Sequence, residues 1–230
     1  SNISPSFSSA IELNHTAKCL KFQSCILLLI MLVISSTLDI IGVVSLDLVE
    51  AVIKKRKGKT MSWKIQITQA KPNPKGKDKT AYGIPIQEQL LGEWVDLKNV
   101  GDQGVAFSRI HLSNATFSGT CGLIKRSSIY WSGKSEDLLK PGGTVRVHTG
   151  KSAFSSSMNT EDKYGTNWHA YAEKGNFVLN NLCGDIIGVW WKDSNGEWQK
   201  EDEASYSPNP PEGQILKRSG SVLIPSYATI

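Results

Sequence analysis

Three histidines, His111, His148 and His169, are the side chains best suited to proton transfer or metal binding after residue 60. A sheet could bring them together, but no two of them share a spacing of the metal-ligand kind. His148, one residue removed from Arg146, reads as part of a solvated strand face. His169 sits in Asn-Trp-His-Ala-Tyr, among groups able to satisfy it structurally. Glu93 and Asp96 could make a carboxylate pair for acid–base work. Three residues apart on an extended strand, however, they point to opposite faces. Gly150-Lys151-Ser152 has the ending of a phosphate loop, but position 145, where the loop needs glycine, is Val. Asp193 to Glu197 has some calcium-ligand spacing and is too short for a full loop, so it reads as a hairpin turn. There is no Gly-x-Ser-x-Gly nucleophile elbow. No catalytic, cofactor-binding or metal-binding residue is assigned, and an enzyme is not expected.

The stretch LNNLCGDIIGVWWKDSNGEW, residues 179–198, holds three of the seven tryptophans. Asn195-Gly196 marks a tight hairpin between two aromatic strands. Val189 and Trp191 are expected to face one way, Trp190 and Lys192 the other. Core and sheet packing is the reading adopted for these rings. The alternative is that Trp190 or Trp198 is exposed in a binding patch. Asn180 and Asn181 are expected to turn the chain or satisfy backbone groups, with Gly184 allowing a close approach.

The elements that would position these groups are strands. Trp63, Ile65 and Ile67 alternate with Lys64, Gln66 and Thr68. In EWVDLKNV, Val95 and Leu97 face inward while Asp96 and Lys98 face water. VAFSRIHLS continues with a phase shift of the kind a bulge produces. SSIYW is a further candidate strand. Pro141-Gly142-Gly143 launches a strand with Val145 and Val147 inward and Arg146 and His148 outward. TNWHAY and NFVLNN read as short edge pieces, and DIIGVWWKD and EWQKEDEASY as the arms of the hairpin. The tail from 207 to 230 is loosely attached or adds one strand at Val222–Ile224. Six to nine short strands with Pro/Gly turns and no capped amphipathic helix predict an all-β sandwich or barrel.

The 230 residues carry a net charge of +5, with 40% apolar and 20% charged residues. Residues 1–60 hold seven Lys and Arg against four Asp and Glu, and residues 61–230 hold nineteen against seventeen. The body is therefore close to neutral, which argues against a dedicated nucleic-acid binder. Residues 1–60 have another texture. Ten apolar residues run from Cys25 to Ile34, behind Lys18 and Lys21 and ahead of Ser35-Ser36-Thr37. This is the pattern of a signal or membrane anchor spanning 20–38; the other reading is an over-extended start, with Met61 the true one. The protein would be membrane-anchored or secreted in the first case and cytoplasmic in the second. Among four cysteines, Cys121 and Cys183 could pair, but buried free thiols are the commoner arrangement and are expected here. Asn14-His15-Thr16 and Asn114-Ala115-Thr116 are glycosylation sequons whose use depends on compartment.

GEWVDLKNVGDQGVAFSRIHLSN, with Gly92, Glu93, Trp94, Val95, Asp96, Leu97 and Asn99, resembles the opening of the lamin tail domain. That family also occurs in bacterial and archaeal proteins. Leu139, Pro141, Gly142, Val145, Val147, Thr149 and Gly150 resemble its second block. Asn180, Asn181, Gly184, Asp185, Asp193, Gly196 and Tyr206 resemble its third. The sequence departs from the pattern at Ser108-Arg109-Ile110, at Leu179 and in one extra residue before Gly184. The resemblance implies an immunoglobulin-like β-sandwich over residues 61–206, acting as a non-catalytic module that binds or positions a protein. Two alternatives stand beside it. One is nucleic-acid contact through Lys71, Lys75, Lys77 and Lys79, Lys125-Arg126 and Lys217-Arg218. The other is service as an accessory domain to a separately encoded hydrolase. No heptad coiled coil precedes the domain, so a filament role is not expected.

Overall fold

The computed structural model describes residues 64–226. The proposed membrane or signal segment at 20–38 lies outside the described residues, as does Trp63. Among the described residues no helix is long and apolar enough to cross a membrane.

The first strands follow the alternation in the sequence. In β1 (Ile65–Lys71), Ile65 and Ile67 are buried, then a bulge between Ile67 and Gln69 shifts the phase so that Ala70 is buried as well. A six-residue helix, α1 (Gln87–Gly92), which the sequence did not signal, buries Leu90 and Leu91 and leads into β2 (Trp94–Asn99). Val95 and Leu97 of β2 point into the core, and so do Val145 and Val147 of β7 (Thr144–His148). The irregular phase at VAFSRIHLS comes from a break: β3 (Val105–Ala106) and β4 (Ile110–Phe117) are separated by a 3₁₀ turn at Phe107–Arg109. The chain continues through β5 (Leu123–Ser132), β6 (Leu138–Leu139) and, after β7, β8 (Trp168–Tyr171). NFVLNN forms no strand. The hairpin arms are β9 (Asp185–Lys192) and β10 (Trp198–Tyr206). The chain closes with β11 (Leu216–Ser219) and β12 (Val222–Pro225).

The expected immunoglobulin-like sandwich of two packed sheets is not what forms. Ten strands make one sheet in the order β5-β4-β9-β10-β12-β11-β1-β2-β7-β8, and β3 and β6 make a separate ribbon. The cause lies in the tail. β12 pairs in parallel with β10, and β11 pairs with β1, so the tail hairpin joins two four-stranded halves into a single sheet. The sheet curls until it nearly closes. Its inner side holds one apolar cluster drawn from both halves, with Ile67, Val95 and Val147 from one and Leu112, Ile187 and Val189 from the other. The two end strands face a common cleft: Trp131 and Ser132 of β5 line it from one side and Trp168–Tyr171 of β8 from the other. Phe107 meets Trp168 edge-on across the gap, at 5.8 Å between ring centroids. The fold is an almost closed barrel with an open seam.

A second layer lies outside the barrel. Residues 150–167, containing 3₁₀ turns at Ser152–Ser157 and Thr160–Lys163, cover the outer face of β1, β2 and β7. This overturns three expectations about water-facing side chains. Asp96, Arg146 and His148 do point outward, yet each is buried.

Candidate functional site

The covered outer face is a polar layer built in register. β2 and β7 place Asp96 opposite Arg146 and Trp94 opposite His148, and β8 places His169 opposite Arg146 and Tyr171 opposite His148. Arg146 grips Asp96 with two bonds, Nε to Oδ1 and Nη2 to Oδ2, both 2.8 Å. Its Nη1 donates to the carbonyls of Asp162 and Tyr164. The guanidinium lies 3.6 Å above the centre of the Trp94 ring. Burial raises the Asp96 carboxyl above its ordinary range against the opposing pull of Arg146. The bidentate geometry is that of an ionised pair. Asp162 accepts bonds from Lys71 Nζ at 2.9 Å and Trp94 Nε1 at 2.7 Å, and Glu161 also accepts from Lys71.

Next to this layer stand two of the three histidines. His148 bonds the Leu91 carbonyl through Nδ1 and contacts His169 Nδ1 through Nε2 at 2.9 Å. The Leu91 carbonyl needs a proton on Nδ1, which leaves Nε2 to accept from His169. Burial is the main reason that the His148 imidazolium is disfavoured, with its pKa lowered to about 3. The sheet register therefore joins two histidines that no local motif connects. His111 is elsewhere, stacked on Trp198 at 3.3 Å between ring centroids.

At the inner end of the barrel, Glu93 and Asp185 form a carboxyl region with no ion-pair partner among the described residues. Glu93 Oε1 accepts from Thr149 Oγ1 at 2.6 Å and from the backbone N–H of Val178 and Leu179. Its Oε2 has no hydrogen-bond partner among the described residues. Desolvation pushes its pKa up to about 8, which favours the neutral acid. Asp185 takes backbone N–H bonds from Ala115, Asn180 and Ile186 and is also raised by burial. Glu93, the residue before β2, turns to Thr149, while Asp96 of β2 turns to Arg146 in the outer layer, so the two carboxylates do not pair. Asn114 points its amide at Val178 and Asp185, so the sequon at 114–116 is engaged in the structure.

The loop expectations hold for several motifs. Asn180 Oδ1 caps the Cys183 N–H. Gly184 has φ +71°, and a Cβ there would sit 2.3 Å from the Tyr206 carbonyl oxygen. Asp193 receives the N–H groups of Asn195 and Glu197, closing the hairpin turn. A 3₁₀ turn, not a longer helix, follows Gly150-Lys151, and the Ser152 N–H is bound by Glu173. One expectation fails. Cys121 and Cys183 are joined in a disulfide rather than left as thiols. Antiparallel pairing of β4 with both β5 and β9 brings the β4–β5 turn beside the loop that enters β9.

Among several concave surfaces, two are lined by more than one tryptophan. One is the seam cleft, about 340 Å³. The other is a groove on the outer face of β5, β4, β9 and β10, lined by Lys125, Ser127, Ile129, Trp190 and Trp198. Trp190 is fixed there by its Nε1–H bond to Ser113 Oγ at 2.9 Å. Both tryptophans are half-buried. The lysine cluster is smaller than the sequence indicates. Lys71 belongs to β1 and is buried against Asp162, Arg126 pairs with Glu203 and Arg218 with Asp202.

No protein-family model matches the chain, and no curated protein matches it in sequence. The resemblance to lamin tail domains is therefore overturned twice, by the absence of a family match and by the single curled sheet. Its three motif blocks have structural roles here: β2, the turn into β7, and the capped loop before β9. Among the described residues, no group of three or more His, Cys, Asp or Glu is placed to hold a metal ion. The described domain is β-rich.

Proposed function

We propose that the domain is a non-catalytic module that positions a protein partner by holding one extended segment of it along β5 and the outer aromatic groove. The observation that carries this reading is the exposed end strand. β5 is ten residues long, pairs only with β4 in the sheet, and leaves Ile124 and Ile129 68% and 53% exposed. An extended segment gains main-chain bonds from such an edge, and alternate side chains choose pockets beside it. The groove formed by Ile129, Trp190 and Trp198 suits apolar side chains at that spacing. The bulges in the β4–β5 pairing and the charges at Lys125 and Arg126 are devices that keep an open edge from pairing at random. Nucleic-acid contact has weaker support, because Lys71, Arg126 and Arg218 are engaged by acidic side chains.

Panning the full chain against a displayed random-peptide library tests the reading. Segments with alternating apolar residues are expected to be enriched, and Ile129→Lys and Trp198→Ala should each weaken them about tenfold, the equivalent of roughly 1.4 kcal/mol. Enriched peptides that bind both variants as well as the parent would overturn it, as would a library that yields none.

A further inference from the structure

We infer that the seam cleft is a binding site for a neutral saccharide of one or two rings, independent of the outer groove. At about 340 Å³ the cleft is at the small end of the range for ligand pockets, about 300–1,000 Å³. Its floor is aromatic. Trp168 is 45% exposed, an unusual position for a tryptophan on an end strand, and Phe107 holds it by an edge contact. A flat, partly open indole offers a surface for the C–H face of a sugar ring, and the rest of the wall mixes apolar side chains such as Trp131 and Val145 with polar ones.

The polar wall favours a ligand with many hydroxyls and no charge. Asp137 and Glu173 supply acceptors, and Lys134 supplies donors. Both carboxylates already accept one local bond and keep further acceptor capacity. Ser135 Oγ donates to Asp137 Oδ2 at 2.6 Å, and the Ser152 N–H donates to Glu173 Oε1 at 3.0 Å. Lys134 and Lys151 both act on the Glu173 carboxylate. His169, which also lines the cleft, is committed to His148 and to the Lys163 carbonyl. With Lys134 and two carboxylates in one wall, sugar hydroxyls can both accept from Lys134 and donate to Asp137 and Glu173. The open seam supplies the entrance, because nothing in the sheet joins β5 to β8.

The test is saturation-transfer NMR on the full chain with cellobiose, maltose, lactose and diacetylchitobiose at millimolar concentration, followed by titration of any sugar that responds. At least one sugar is expected to bind, with saturation strongest on the C–H protons of one ring face. Trp168→Ala should weaken it about tenfold or more. Asp137→Asn should weaken it severalfold without moving the saturated face. Four silent sugars would overturn the proposal, as would binding unchanged in both variants. Displacement of a bound sugar by tetramethylammonium would overturn it too, since that would mark the cleft as a cation cage. If circular dichroism shows that Trp168→Ala does not fold, Asp137→Asn decides alone.

Discussion

Just before β2 the Glu93 carboxyl is buried with no cation beside it among the described residues, whereas on the outer face of that strand Asp96 is clamped by a guanidinium. Both groups lose water, and the fold compensates for the loss differently. Inside, backbone N–H groups and Thr149 satisfy one oxygen, and protonation removes the charge. Outside, Arg146 supplies charge, two parallel bonds and cover for Trp94, and its remaining donors tie down the loop at Asp162 and Tyr164. A neutral acid asks only for hydrogen bonds and tolerates an apolar neighbourhood. An ionised one requires a whole layer built around it. The loop 150–167 is that layer, and it makes the barrel two-tiered on this side.

The most damaging way to break the contrast is to take away the guanidinium. Arg146→Met should cost about 3–5 kcal/mol, because it leaves the Asp96 charge buried and unpaired. The double change Arg146→Met with Asp96→Leu should recover much of that loss, since both charges then go together. Urea midpoints at pH 7 check both, and a single variant that loses less than about 1 kcal/mol would mean that Asp96 is not held as an ion. Arg146→Lys should recover only part of the stability, as an ammonium lacks the fork. The inner end has a different anchor. The disulfide joins Cys121 to Cys183, 62 residues apart and two residues before Asp185. Replacing both cysteines by serine should cost about 2–4 kcal/mol. Urea titration of the double variant beside the parent checks this, and an unchanged midpoint would show that the staple does not constrain the unfolded chain.

The same contrast explains what the sequence revealed and what it hid. Alternation placed Ile65, Ile67, Val95, Leu97, Val145 and Val147 on the inner side, because period-two burial is a local property of a strand. The turn roles of Asn180, Gly184 and Asp193 were legible for the same reason. The outward positions of Asp96, Arg146 and His148 were also legible, but their burial was not. That depends on the loop 150–167, which follows β7 and folds back over it, and whose composition reads as polar surface. Likewise, Leu216–Ser219 gave little strand signal, yet its pairing with β1 converts two half-sheets into one. The family resemblance rested on turns and strand starts, which many β folds share. The His148–His169 contact and the Cys121–Cys183 bond are products of sheet register, which no spacing along the chain encodes. Of the two tryptophan-lined surfaces, the groove was partly anticipated through Trp190 and Trp198, and the seam cleft was not.

The finest test of the comparison asks whether Glu93 is really neutral. Its pKa rises from 4.5 to about 8 in the folded state, so between those values the native chain binds more protons than the unfolded one. Stability contributed by this group is full below pH 4.5 and is lost as pH rises toward about 8. Glu93→Gln keeps the accepting Oε1 and removes the titration. The variant should lie within about 1 kcal/mol of the parent at pH 5, and the difference should move in its favour by about 3–4 kcal/mol by pH 8. His148 acts in the opposite direction, since its lowered pKa removes stability as pH falls below 6.5 toward about 3. It is present in both proteins and cancels from the difference. Urea unfolding of the two proteins at pH 5, 6.5 and 8 measures that difference directly. If the curves stay parallel, Glu93 is ionised throughout, and the inner end must contain a compensating charge like that on the outer face. If they diverge upward in pH, one short stretch of chain carries both a neutral and an ionised buried acid, and the choice between them is made by the presence or absence of Arg146.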